Sequence, residues 1–277
     1  MRISFAPGCE ERIAADGTEL RYYEVGSGQT PVVLLHGLFG SASNWLPIMN
    51  DLEPHYRFYS LQFPIDPTAE RRHGKYRSIS QLTDHVVRFF DELQIDRAVV
   101  GGNSLGGQIA LDFCLRFPER VERLVLTGSA GLFERNLAGG QRPRLCRQFI
   151  RDQANQIFYD PALVCTEMVD DIYEMLSDRH YRKLMVKVAK STRDRYMLED
   201  LARVTVPTLI VWGRDDTITP PFVAEQFREN IRNATRVYID ECGHAPPIEQ
   251  PREFARALHE FLGDLATSEF AAPVKPR

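Results

Sequence analysis

The amino-acid sequence predicts an α/β fold, with a mostly parallel central sheet, helices on both faces and one helical insertion. Three observations carry this. Short, continuous apolar runs recur along the chain, segments of helical spacing separate them, and the alternation stops near Gly131 and resumes at Thr208. Short apolar strands alternating with helices imply parallel βαβ units in a sheet buried on both faces.

The elements follow in order. Leu20 to Val25 reads as a strand, and Pro31 to Leu35 and Phe58 to Phe63 as buried strands. Ile79 to Leu93 has helical spacing, with Leu82, Val86, Phe89, Phe90 and Leu93 on one face. Arg97 to Gly101 is a further apolar strand. Leu105, Ile109, Phe113 and Phe117 then step by four, which marks a helix with a buried stripe. Val121 to Thr127 is a strand. From Leu132 to about Leu201 no buried strand is evident, and the stretch is rich in charge and helix formers. Thr208 to Trp212 is a strand, Pro221 to Arg228 a helix, Thr235 to Ile239 a strand and Pro251 to Leu262 a closing helix. The expected organisation is a core at residues 1–131 and 202–265, an insertion at 132–201 and a solvated tail at 266–277.

At 277 residues the chain can bury a large core, and 43% hydrophobic with 26% charged residues is an ordinary globular composition. A net charge of −4 argues against a nucleic-acid surface and says little about a small-molecule substrate, the partner that the catalytic motifs lead one to expect. The N-terminus lacks the apolar core of a signal peptide. No stretch approaches the roughly 18 apolar residues of a membrane span. Cys9, Cys114, Cys146, Cys165 and Cys242 are scattered, odd in number and without C-x-x-C spacing. They read as reduced thiols of a cytoplasmic protein, with neither disulfides nor structural zinc.

One motif carries chemistry. Gly102-Asn103-Ser104-Leu105-Gly106-Gly107 follows a strand and opens a helix. That is the context of the G-x-S-x-G elbow, in which a strained turn holds the serine hydroxyl out at the sheet edge. A glycine-rich turn with an incidental serine is the bland alternative, and the flanking strand and helix argue against it. The N–H of Leu105 sits at a helix N-terminus, where unpaired amides and the dipole favour an oxyanion. A serine hydroxyl needs a base, and the base an orienting acid. His244, in the loop after Thr235 to Ile239, is the candidate base. His55, His73, His85, His180 and His259 lack such a setting and read as surface or structural residues. Asp215 and Asp216 both follow a buried strand, and either carboxylate can hold the imidazole.

Leu34-Leu35-His36-Gly37-Leu38-Phe39-Gly40 ends another strand. A glycine-flanked turn there can aim the Leu38 N–H at the nucleophile as a second oxyanion donor. Such a donor is worth about 3 kcal/mol in the transition state. His36 reads as a structural partner of this loop, and Phe39 as a candidate pocket residue.

Taken together, Leu35-His36-Gly37, Gly102 to Gly107, Trp212-Gly213-Arg214-Asp215-Asp216-Thr217-Ile218-Thr219-Pro220 and Gly243-His244 resemble the α/β-hydrolase superfamily. The resemblance implies the α/β-hydrolase fold, with the insertion after strand Val121 to Thr127 as a helical cap over the pocket. In that family the acid sits in a G-x-x-D-x-x-x-P run; Gly213, Asp216 and Pro220 fit it, which implies Asp216. The order Ser, Asp, His is that of the fold. No metal or organic cofactor is called for. Ser104 stands where haloalkane dehalogenases and epoxide hydrolases of this fold carry aspartate, which sets both aside.

Two serine-dependent branches remain, esterases and C–C hydrolases of dienoate or diketone ring-cleavage products. Many of the latter carry a tryptophan just after the histidine, where Ala245 and Pro246 stand here, and a glycine run where His36-Gly37-Leu38 stands. These departures put a carboxylic-ester hydrolase acting on a small, largely apolar substrate first and C–C hydrolysis second. A third expectation, of another class, is a non-catalytic protein that binds a small ligand in the same cleft. Phe133, Phe149, Ile157, Phe158, Tyr159, Met168 and Met175 supply apolar side chains in the insertion, and helically spaced residues of this kind are more often packing than pocket.

Overall fold

The computed structural model describes residues 8–65, 76–135 and 144–266. His73 and all of the expected tail except Ala266 lie outside them. Eight strands form one sheet: β1 (Cys9–Ile13), β2 (Glu19–Val25), β3 (Pro31–Leu35), β4 (Arg57–Gln62), β5 (Ala98–Asn103), β6 (Val121–Thr127), β7 (Thr208–Gly213) and β8 (Ala234–Ile239). Their order is β1-β2-β4-β3-β5-β6-β7-β8. β1 and β2, and β2 and β4, pair antiparallel. The other neighbours are parallel.

The apolar runs are explained by helices on both faces. Helices α1 (Leu46–Leu52), α2 (Ile79–Glu92), α3 (Leu105–Arg116) and α4 (Arg147–Ala154) come first. α5 (Thr166–Ser177), α6 (Arg179–Asp194), α7 (Pro221–Asn230), α8 (Pro246–Glu249) and α9 (Pro251–Ala266) follow. Val33, Leu35, Val100 and Ile210 face one core with Phe89, Phe90, Ile109, Phe113 and Phe227. Alternate residues Val32, Leu34, Val99 and Leu209 face the other with Ile48, Met49, Phe254 and Leu258. Successive strand side chains point to opposite faces, so a strand covered on both must be apolar throughout.

Three elements of the core were not foreseen: β1, α1 and the four-residue α8. β1 reads Cys-Glu-Glu-Arg-Ile and is almost wholly exposed, so it has no buried face to leave a hydrophobic signal. α1 is only seven residues long, too short for its period to show in sequence. β5 also runs two residues past Gly101. Gly102 and Asn103 look unlike strand, but a Cβ on Gly102 would lie 2.2 Å from the Gly106 carbonyl carbon. Glycine is there to let α3 close on β5.

Between β6 and β7 every described element is a helix. Ile150, Ala154, Phe158, Val164 and Val169 form a separate small core, which also takes Ala245. α6 starts where the Asp178 carboxylate caps the N–H groups of His180 and Tyr181. Its buried side chains, Tyr181, Leu184, Met185 and Val188, belong to the main core. Most apolar insertion residues are therefore packing: Phe149, Ile157 and Met168 lie against the small core, and Met175 against the main core. Tyr159 and Phe133 are exposed, and Phe133 stacks on Phe222. No helix among the described residues is long and apolar enough to cross a membrane.

Candidate active site

Ser104 joins β5 to α3 with φ 55° and ψ −117°. This left-handed conformation costs a non-glycine residue about 1–3 kcal/mol, so the surroundings must hold it. The Ser104 N–H donates to Thr127 O at 3.0 Å, and Ser104 O accepts from Ala130 N at 3.1 Å and Gln108 N at 3.2 Å. Gly106 lets the helix approach β3; a Cβ there would lie 2.1 Å from Leu35 O. Leu105 is the first residue of α3, so its amide belongs to the unpaired, positive end of the helix dipole. The loop bearing Leu38 passes beside the serine, since a Cβ on Gly37 would be 3.4 Å from Ser104 Cβ. Phe39 on that loop is 44% exposed, so it is not core.

The loops after β7 and β8 bring Asp216 and His244 together. Gly213 and Gly243 cross so closely that a Cβ on Gly213 would be 2.0 Å from Gly243 O. Trp212 Nε1 donates to Thr219 O at 2.7 Å and folds the intervening loop back. The Asp216 Oδ2 atom lies 2.9 Å from His244 Nδ1, and both side chains are buried. Asp216 Oδ1 accepts from Ile218 N at 2.8 Å and Thr219 N at 2.9 Å, while the Thr219 hydroxyl donates to Oδ2 at 2.8 Å. Asp215 is exposed, and its N–H donates to Cys242 O. Of the two acids, only Asp216 meets the imidazole.

Burial is the largest influence on His244 and disfavours its charged form. The charge and hydrogen bond of Asp216, helped by Glu134 and Glu249, outweigh it and hold His244 above the ordinary histidine value. His36 behaves oppositely. It is buried, its Nδ1 meets Gly37 O at 2.8 Å and its Nε2 accepts from Phe63 N at 3.0 Å. Burial pushes it down to about 4, so it is a neutral loop brace with both ring nitrogens engaged. Of the other histidines, His85 is buried against Tyr76, and His55 and His259 stack on each other.

Four contributors escaped the sequence reading. Asn103 Nδ2 donates to Thr127 O at 3.1 Å and His244 O at 3.0 Å, linking the serine turn to the histidine loop. Thr219 supports Asp216, as above. Glu134 acts electrostatically on His244 and takes a hydrogen bond from Thr192 at 3.2 Å. Burial pushes its carboxyl up, against the opposing pull of His244. Glu249 accepts from three backbone amides around His244. Asn103, beside Ser104 in the elbow motif, and Thr219, three residues after Asp216, had recognisable positions in sequence.

Residues 30–251 match the family model described as the alpha/beta hydrolase fold. The chain belongs to the α/β-hydrolase family. This α/β hydrolase is 30% identical over 264 residues to the 2-hydroxy-6-oxo-2,4-heptadienoate hydrolase of Pseudomonas putida strain F1, covering 90% of this chain and 95% of that one. It is 32% identical over 278 residues to the 2-hydroxy-6-oxo-6-(2'-aminophenyl)hexa-2,4-dienoic acid hydrolase of Metapseudomonas resinovorans, covering 95% and 94%. The crystal structure of a meta-cleavage product hydrolase from Pseudomonas fluorescens IP01 superposes with a TM-score of 0.81 at 28% identity, covering 92% of this hydrolase and 98% of that chain. These similarities put the C–C branch ahead of the esterase branch, the reverse of the order drawn from Ala245 and the His36-Gly37-Leu38 loop.

Proposed function

We propose that this α/β hydrolase works through Ser104 as nucleophile, His244 as base and Asp216 as orienting acid, and that it cleaves a carbon–carbon bond in a dienoate-type ketone acid. The buried Asp216–His244 pair beside the strained Ser104 turn carries the catalytic reading. The dienoate hydrolases among its relatives support the substrate class.

Asp216 occupies Nδ1, which leaves Nε2 to take the serine proton. Ser104 Oγ then bonds to the ketone carbon, and the oxyanion is held by the N–H groups of Leu38 and Leu105. As the carbonyl re-forms, the carbon–carbon bond breaks. In the keto tautomer of the substrate the carbon beside the ketone is saturated, so the electron pair of the breaking bond passes into the neighbouring 2-oxo-enoate as a dienolate, which takes the proton from His244. Water, deprotonated by His244, releases the acyl group from Ser104 as a carboxylic acid. The helical insertion serves as the cap that shields these steps from bulk solvent.

Ester hydrolysis by the same residues is the second reading, and one observation favours it. The charged groups acting most strongly on His244 are the three carboxylates of Asp216, Glu134 and Glu249. A substrate carboxylate brought beside them would be repelled, whereas a neutral ester would not. A panel of short p-nitrophenyl esters set against a vinylogous diketone acid separates the two. Rapid turnover of the diketone acid with slow ester turnover is expected, and ester turnover with an inert diketone acid would leave the second reading standing.

A further inference from the structure

The loop of His244 is tied to residues 156–159 of the insertion from several sides. The His244 N–H donates to Ile157 O at 2.8 Å. The Thr217 hydroxyl, next to Asp216, donates to Gln156 O at 2.8 Å. A Cβ on Gly243 would stand 2.5 Å from Ile157 O and 3.0 Å from Tyr159 N, so the two backbones touch. Ala245 is packed into the insertion's own small core. One carboxylate gathers the remaining amides. Glu249 Oε2 accepts from Tyr159 N at 2.7 Å and Gly243 N at 2.9 Å, and Oε1 accepts from Ala245 N at 2.9 Å. Gly243 and Ala245 flank His244 in the chain, so this carboxylate straddles the base and joins it to the insertion.

We propose that Glu249 is a positioning residue that latches the insertion to the His244 loop, so that the placement of the base depends on the insertion being seated. Charge-assisted bonds from three amides make it a firm anchor. A displacement of residues 156–159 reaches the main chain of His244 through hydrogen bonds alone, with no intervening side chain. The groups acting on the imidazole are Asp216, Glu134 and Glu249, so removing the Glu249 charge also lowers its proton affinity.

The proposal rests on the catalytic reading above, and the test keeps the two apart by needing no knowledge of the substrate. The rate at which a fluorophosphonate labels Ser104 is measured against pH for the parent protein, Glu249→Gln and Thr217→Ala, alongside their melting temperatures. Glu249→Gln keeps the shape but loses the charge and one of the two acceptor oxygens. Its labelling is expected to fall about tenfold or more, as small misplacements of catalytic groups do. The midpoint of its acid limb is expected to move to lower pH. Thr217→Ala, at an exposed site, cuts a different tie without removing charge, and is expected to slow labelling with the midpoint unmoved. If Glu249→Gln does not fold, the decision passes to Thr217→Ala. Labelling of the folded variants at the parent's rate and midpoint would overturn the latch. A parent protein that takes no label at Ser104 would overturn the catalytic reading and the latch with it.

Discussion

The Asp216 carboxylate accepts four hydrogen bonds, two on each oxygen, from Ile218 N, Thr219 N, the Thr219 hydroxyl and His244 Nδ1. An amide in its place must turn its own N–H₂ toward one pair of these donors. It would then leave donors facing donors, or force His244 into the other tautomer. Asp216→Asn is therefore expected to lower kcat on the order of 10⁴-fold. Asp215→Asn, at an exposed carboxylate with no bond to the imidazole, should do far less, and steady-state kinetics on any hydrolysed ester or ketone compares them. The same geometry sets a pH dependence. As the proposed base, His244 must be neutral to take a proton, and its pKa is raised above 6.5. Activity is therefore present above that raised value and lost as pH falls through it. The acid limb of kcat/KM, which reports the free enzyme, is expected to have its midpoint above 6.5, the ordinary histidine value. A midpoint below it would contradict the account of the charges around His244.

At the scale of elements, the turn from β5 into α3 is built by close backbone approach. Gly106→Ala puts a methyl group 2.1 Å from Leu35 O, a backbone atom that cannot swing aside. Overpacking of this kind is expected to cost about 3 kcal/mol and to displace Ser104 with the helix start. Gly263 in α9 makes a control of opposite sign. A Cβ there meets nothing within 4 Å, so Gly263→Ala is expected to stabilise by about 0.5–1 kcal/mol. Denaturant melts of the two variants check both signs. The same turn shows what was legible in sequence. The buried strands announced themselves because both faces are covered, as at Pro31–Leu35 and Val121–Thr127, whose bounds were read correctly. The end of β5 did not, because Gly102 is present for the contact with Gly106 rather than for strand formation. β1 carries no apolar face at all and left no pattern to read.

Across the whole molecule, a mostly parallel sheet brings three chain-distant loops to one edge, and a helical insertion meets the last of them. Ser104, His244 and Asp216 stand out as candidates in the sequence because each sits in a local pattern after a strand. Glu249 and Glu134 were not, since their roles depend on loops that meet only in the folded chain. The order of the two substrate branches, which the similarity to dienoate hydrolases reverses, was hard to draw for a related reason. Ala245 looked like a departure from the C–C hydrolases, yet its side chain is buried in the insertion's small core, a packing role that local sequence does not display. The central claim is that Ser104, activated by His244, is the nucleophile of this α/β hydrolase. Treatment of the folded protein with a fluorophosphonate, followed by peptide mapping, tests it most directly. One adduct, on Ser104, absent from Ser104→Ala and formed far more slowly in Asp216→Asn, is the predicted result; no adduct, or an adduct on another residue with Ser104 unmodified, would contradict it.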